Sequence, residues 1–182
     1  MSLPTVIVLA SGRGERFAAS GGTTHKLKAQ LADKTVLQHT LDAVQASGLQ
    51  WHLEDGGHPG MGDSIAAAVR ATLQSTPQAT GWLILPGDLP LIRSDTLLAV
   101  ATALSSHDVA VPIYRGQRGH PVGFSARCGL ALLNLKGDQG ASQVVRAHRA
   151  IELIVNDVGC VTDIDTINDL RLAERLMYGD FG

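Results

Sequence analysis

Three things are scarce in this chain: cysteine, net charge and long apolar runs. Only two cysteines occur in 182 residues, Cys128 and Cys160. Their separation offers no metal-ligand spacing, so they read as small buried hydrophobes. The histidines contain no H-x-x-x-H pair, which argues against a zinc site. The 15 basic and 17 acidic residues leave a formal net charge of −2, too little for a global field that would attract DNA, RNA or an anionic lipid surface. The run from Val6 to Ala10 is too short for a secretory leader, and no stretch approaches the ~20 apolar residues of a membrane span. No nucleic-acid or membrane partner is expected, and the expected compartment is the cytoplasm. Hydrophobic residues make up 45%, enough for a full core. With no linker or repeat, residues 1–182 are expected to form one domain that buries roughly 70% of the surface its unfolded chain exposes.

The most informative stretch runs from Val6 to Phe17, VIVLASGRGERF. A buried-strand run ends there in a glycine-rich turn with two arginines, and Lys26 follows. Unpaired backbone N–H groups at such a turn, with Arg13, Arg16 and Lys26 as added cations, suit a polyphosphate, so a nucleotide is the expected ligand. The residues after Gly12 do not supply the G-x-x-x-x-G-K-[ST] of phosphate-loop ATPases. The dinucleotide fingerprint begins correctly at Gly12 and Gly14 but meets Phe17 at its third glycine.

Short β-branched apolar runs alternate with helical periodicity along the rest of the chain. Thr5 to Ala10, Trp82 to Leu85, Val109 to Val111, Val122 to Phe124 and Ile151 to Val155 read as strands. Val36 to Ala46, Ser64 to Leu73, Asp95 to Leu104, Ala126 to Leu133, Ala141 to His148 and Ile167 to Met177 read as helices. Asp63, Ser94 and Thr166 are the expected N-caps, and Thr166 with Asp169 fits a capping box. This alternation predicts an α/β fold with a mostly parallel sheet and helices on both faces, where ligands bind beyond the carboxyl ends of the strands. Residues 82–88 (WLILPGD) form a strand that would deliver Asp88 to that edge. A carboxylate there suits Mg²⁺, a hard ion that takes one or two carboxylates plus phosphate oxygens; a turn or cap aspartate is the alternative. Glycines in residues 60–64 (GMGDS) precede a helix and offer a second polar site, with helix capping as the competing role.

These segments, with Gly119 to Phe124, Gly137 to Ala141 and Asp163 to Leu170, resemble in order and spacing the MobA-like nucleotidyltransferases, and among them the molybdenum cofactor cytidylyltransferases. The resemblance implies a three-layer α/β/α, Rossmann-like fold of the glycosyltransferase-A type. It implies transfer of a nucleoside monophosphate, CMP from CTP, to a phosphorylated acceptor such as molybdopterin, with release of pyrophosphate. Leu9, Ala10, Ser11, Gly12, Arg13, Gly14, Lys26, Gly62, Ser64 and Asp88 then contact the nucleotide, and Arg13, Arg16, Lys26 and Asp88 carry the chemistry. An acidic residue from the 161–166 segment completes the Mg²⁺ site with Asp88. Asp165 is preferred to Asp163 because it lies nearer the expected strand end. Arg118 and His120 fall on the acceptor side. Ser11 favours a pyrimidine, since guanylyltransferases of the family have glycine there. A guanylyltransferase, a sugar-phosphate nucleotidyltransferase, and a non-catalytic nucleotide or pterin chaperone for a molybdoenzyme are the other readings. Three departures stand out, the first being Ser11 itself, where cytidylyltransferases of the family tend to have alanine. Ser142 occupies the position of a family arginine, and only about a dozen residues separate Ser47 from Gly60, so the sheet is expected to be one β-α unit short, with Trp51 to Leu53 as the surviving strand.

Overall fold

The computed structural model describes residues 3–179. Among the described residues, nine strands and seven α-helices follow one another as β1 (Thr5–Leu9), α1 (Glu15–Ala19), β2 (Gln30–Leu31), β3 (Lys34–Thr35), α2 (Val36–Ala46), β4 (Trp51–Glu54), α3 (Met61–Ser75), β5 (Gly81–Pro86), α4 (Ser94–Ala103), β6 (Val109–Tyr114), β7 (Gln117–Arg118), β8 (Val122–Ser125), α5 (Gly129–Leu133), α6 (Ser142–Ala147), β9 (Ala150–Ile154) and α7 (Ile167–Tyr178). The main sheet runs β4-β1-β5-β8-β6-β7, with β9 also paired to β6. β1 is parallel to β4 and β5, and β6 is parallel to β9, while β8 lies antiparallel between β5 and β6. β4, β1, β5, β6 and β9 therefore share one direction, and the sheet is mostly parallel. β2 and β3 form a separate hairpin.

Two-residue periodicity divides the core. On β1 and β5, Val6, Val8, Leu83 and Leu85 face one side and pack with Val44 of α2 and Leu97 and Val100 of α4. Ile7, Trp82 and Ile84 face the other and pack with Ile65 and Val69 of α3 and Leu132 of α5. A strand covered on both faces must be apolar at every position, which is why these runs do not alternate with polar residues. A third cluster, Phe17, Leu27, Leu31, Val36, Ile164 and Ala173, joins α1, the hairpin, the start of α2 and α7 into one pad.

The structure corrects several boundaries. α3 begins at Met61, with the extended Gly60 as its N-cap, so Asp63 and Ser64 lie inside the first turn rather than capping it. The Asp63 carboxylate instead accepts the Gly137 N–H at 2.9 Å. Ser94 is likewise inside α4, whose N-cap is Arg93 without a side-chain hydrogen bond. The expected 126–133 helix divides into a 3₁₀ turn at Ala126–Cys128 and α5. Only β4 lies between α2 and α3, and it is an edge strand.

Thr166 caps α7 as expected: its hydroxyl accepts the Asp169 N–H at 3.2 Å, and the Asp169 carboxylate accepts the Thr166 N–H at 2.7 Å. Thr166→Ala should lower stability by about 1 kcal/mol in chemical denaturation, the usual value of an N-cap hydroxyl.

Candidate functional site

Leu9 ends β1 in register with Pro86 of β5, so the Ser11–Gly14 loop and the Gly87-Asp88 turn leave the sheet side by side. Three bonds fix this edge. Gly87 N–H donates to Leu9 O at 2.8 Å, Ala10 N–H to Glu54 O at 2.9 Å, and the buried Thr40 hydroxyl of α2 to Gly87 O at 2.9 Å. The loop reaches α1 through Gly14, whose φ of 67° is left-handed, a conformation that costs glycine little. The His25 ring clamps it from outside. Nδ1 accepts the Leu27 N–H at 3.3 Å, so the proton sits on Nε2, which donates to Gly12 O.

Lys26 follows directly and its ammonium meets both expected metal carboxylates, Asp88 Oδ2 at 2.6 Å and Asp165 Oδ1 at 3.0 Å. Arg16 reaches the second oxygen of Asp165 at 2.8 Å. Burial alone would depress the Lys26 pKa, but Asp88 and Asp165 outweigh it and hold the ammonium above its ordinary 10.5. Asp165 arrives because Ile164 is fully buried in the third cluster and donates its N–H to Asp88 O at 3.0 Å. Asp163 is exposed and lies outside the cavity lining.

Above this cluster opens a cavity of about 1030 Å³. The first loop contributes Leu9, Ser11, Gly12, Arg13, Gly14 and Arg16 to its wall; Lys26, Ser64, Asp88, Arg118, His120 and Asp165 come from elsewhere. Ala10 and Gly62 are not in the wall. Ala10 packs on the third cluster. A Cβ on Gly62 would come within 2.7 Å of Gln139 O, and one on Gly60 within 2.2 Å of Gly137 O. These two glycines thus let α3 clasp the 136–139 loop, a role in packing that spacing alone did not show. Ser11 and Ser64 hydroxyls meet at 3.0 Å across the mouth. Glu54 is buried at the end of β4, accepts the Gly56 N–H at 2.9 Å and faces His58 at 3.1 Å. His25, His58 and Glu54 escaped the sequence analysis because their partners are remote backbone atoms or lie in an irregular loop.

The donor set suits a hard divalent cation. Both carboxylates already reach one cation, the Lys26 ammonium, and Asp88 Oδ1 is buried without a partner. Among the described residues no cluster of three or more His, Cys, Asp or Glu side chains is arranged to hold a metal. Two carboxylates, with water and phosphate oxygens, satisfy Mg²⁺.

A family model for the MobA-like NTP transferase domain matches residues 6–151, most of the chain. The chain belongs to the MobA-like NTP transferases. It is thereby a nucleotidyltransferase, with a nucleoside triphosphate as substrate. Among relatives of this chain, the purine catabolism protein PucB of Bacillus subtilis is 26% identical over 94% of this chain and 96% of its own. The molybdenum cofactor guanylyltransferase of Cupriavidus necator is 27% identical over 93% and 96%. The crystal structure of Rv0371c from Mycobacterium tuberculosis superposes with a TM-score of 0.75 at 27% identity, over 96% of this chain and 99% of that one. No helix among the described residues is long and apolar enough to cross a membrane.

His120 is half-buried, its Nδ1 sealed from solvent without a partner. Burial lowers its pKa from the ordinary 6.5, against the opposing pull of Asp88. The fold therefore prefers neutral His120, and its contribution is present above pH 6.5 and lost as pH falls through the lowered folded-state pKa. Comparing the pH dependence of stability for wild type and His120→Gln checks this: the variant should lose less stability on acidification over that window.

Proposed function

We propose that this chain is a cytoplasmic, Mg²⁺-dependent cytidylyltransferase that transfers CMP from CTP to a phosphorylated acceptor, molybdopterin, and releases pyrophosphate. The observation that carries the reading is the convergence of Asp88 and Asp165 on one cation beside the glycine-rich loop. The loop turns backbone N–H groups and Arg13 toward a polyphosphate, and Arg16 and Lys26 supply positive charge along its length. A bound Mg²⁺ held by Asp88 and Asp165 would neutralise phosphate oxygens where charge builds up. The acceptor phosphate is already anionic at neutral pH, so its oxygen attacks the α-phosphorus without a general base. Positioning and charge neutralisation then account for the chemistry, and the neutral His120 orients the acceptor rather than moving a proton. Asp88→Asn should keep the fold and lower turnover by roughly two orders of magnitude or more, measured as pyrophosphate release; near-native activity would remove Asp88 from the mechanism.

The choice of base rests on Ser11. Its hydroxyl is tied to Ser64 at 3.0 Å, which pins the side chain where it narrows the space beside the loop. A turn held in this way rejects a purine by sterics and leaves room for a pyrimidine. The relative named as a guanylyltransferase favours GTP instead. Pyrophosphate release and nucleotide binding, measured with CTP and GTP in the presence of Mg²⁺ and molybdopterin, separate the two. CTP should be preferred by tenfold or more, about 1–3 kcal/mol, and Ser11→Gly should shrink that ratio. A preference for GTP overturns the assignment, and binding without pyrophosphate release would make the chain a carrier instead of an enzyme.

A further inference from the structure

Five basic side chains of lysine or arginine line the cavity: Arg13, Arg16, Lys26, Arg118 and Arg146. Four of them face carboxylates. Arg13 stands 3.8 Å from Glu15, Arg16 and Lys26 hold Asp165, and Arg118 is paired with Glu152 at 2.7 Å. Arg146 differs. Its guanidinium turns back one helical turn, donating from Nε to Ser142 O at 3.3 Å and from Nη2 to Ser142 Oγ at 3.1 Å. Among the described residues these neutral oxygens are its hydrogen-bond partners, and no carboxylate is paired with it.

The backbone explains where this charge sits. Val144 of α6 is buried, and Val145 beside it is partly buried, against the cluster that holds Val109 and Val111 of β6 and Val122 of β8. α6 therefore lies over the end of the cavity built from β6 and β8, the end that also receives Arg118 and His120. The i,i+4 geometry of a helix brings the Arg146 head group level with residue 142. The cation missing from position 142 is thus restored in space from one turn further along.

We propose that Arg146 is the anion-binding residue at the acceptor end of the cavity, and that the group it takes is a phosphate monoester. The inference rests on the reading of the chain as a nucleotidyltransferase with a phosphorylated acceptor. A phosphate monoester carries close to two negative charges at neutral pH and matches the planar guanidinium fork. Ser142 holds that fork in place before ligand arrives and leaves Nη1 free to meet it. A phosphate oxygen replacing a neutral Ser142 oxygen exchanges an ordinary hydrogen bond for a charge-assisted one, so the exchange is favourable. Arg118 has further to go, because it must first give up Glu152.

Orthophosphate serves as the probe, titrated calorimetrically with Mg²⁺ present, with and without saturating CTP, and CTP itself is titrated in parallel. Arg146→Ala should weaken orthophosphate about tenfold or more and leave CTP affinity within about twofold. The double variant S142R/R146A, which moves the cation to the other residue, should regain orthophosphate affinity. Unchanged orthophosphate binding in R146A, no orthophosphate binding by wild type, a parallel loss of CTP affinity, or a double variant that regains nothing each overturns the assignment. Wild-type protein that binds orthophosphate through Arg146 but not CTP leaves the assignment standing and instead sinks the cytidylyl reading.

Discussion

The ammonium of Lys26 is the point on which the site depends. Three segments that are far apart in the chain, the 26–28 turn, the strand end at Asp88 and the approach to α7 at Asp165, meet at one nitrogen atom. Taking that charge out of water is unfavourable, and only the two carboxylates make it tolerable. The carboxylates need the cation in turn, since Asp88 and Asp165 would otherwise repel one another, and Asp88 needs it more because Asp165 also pairs with Arg16. The cluster therefore defines the separation of the two acidic groups, and that separation suits a shared cation.

Apolar packing brings these charges within reach of each other. Leu27 and Ile164, the neighbours in sequence of Lys26 and Asp165, are both buried in the third cluster with Phe17. Burying those side chains stabilises the pad by an amount that scales with apolar area, and the polar residues beside them are carried to the cavity as a consequence. The Asp88 turn is anchored to the sheet and to α2 as well, through the bonds of Gly87 to Leu9 and Thr40. The sheet edge thus meets the apolar pad beneath the cavity, joined to it by the bond from Ile164 N–H to Asp88 O, with the charges at their seam.

The far wall is built differently. Gly60 and Gly62 allow α3 to approach the 136–139 loop so closely that a methyl group at either would strike backbone atoms. That contact carries the chain onward to α6 and places Arg146 in the cavity. The two motifs at 60–64 and 137–142 are parts of one packed wall, and a change in either is transmitted to the other through backbone contact.

Elements dictated by local periodicity were legible in the sequence. β1, β5 and α2 lie where apolar pattern and turn residues put them, the Thr166 capping box formed as read, and β5 stops at Pro86, two residues short of the expected end, so that the turn after it delivers Asp88 to the carboxyl edge. These features depend on residues within one or two turns of each other, so a linear reading contains their causes. Tertiary contact decided the rest. Asp165 rather than Asp163 enters the cavity because Ile164 is locked to the pad and to Asp88 O. Asp63 gave up the capping role to bond Gly137, and β8 runs antiparallel because the Arg115-Gly116 turn, with φ of 48° and 83°, reverses the chain. His25 and Arg146 acquired partners that no spacing rule anticipates, one at Gly12 O and one a helical turn back on the wall of a cavity that exists only once segments remote in sequence have met. Composition and periodicity determine which surfaces must be buried; which polar groups those burials bring face to face is decided only by the packed chain, because the pairing energies act across distances in space that sequence order does not encode.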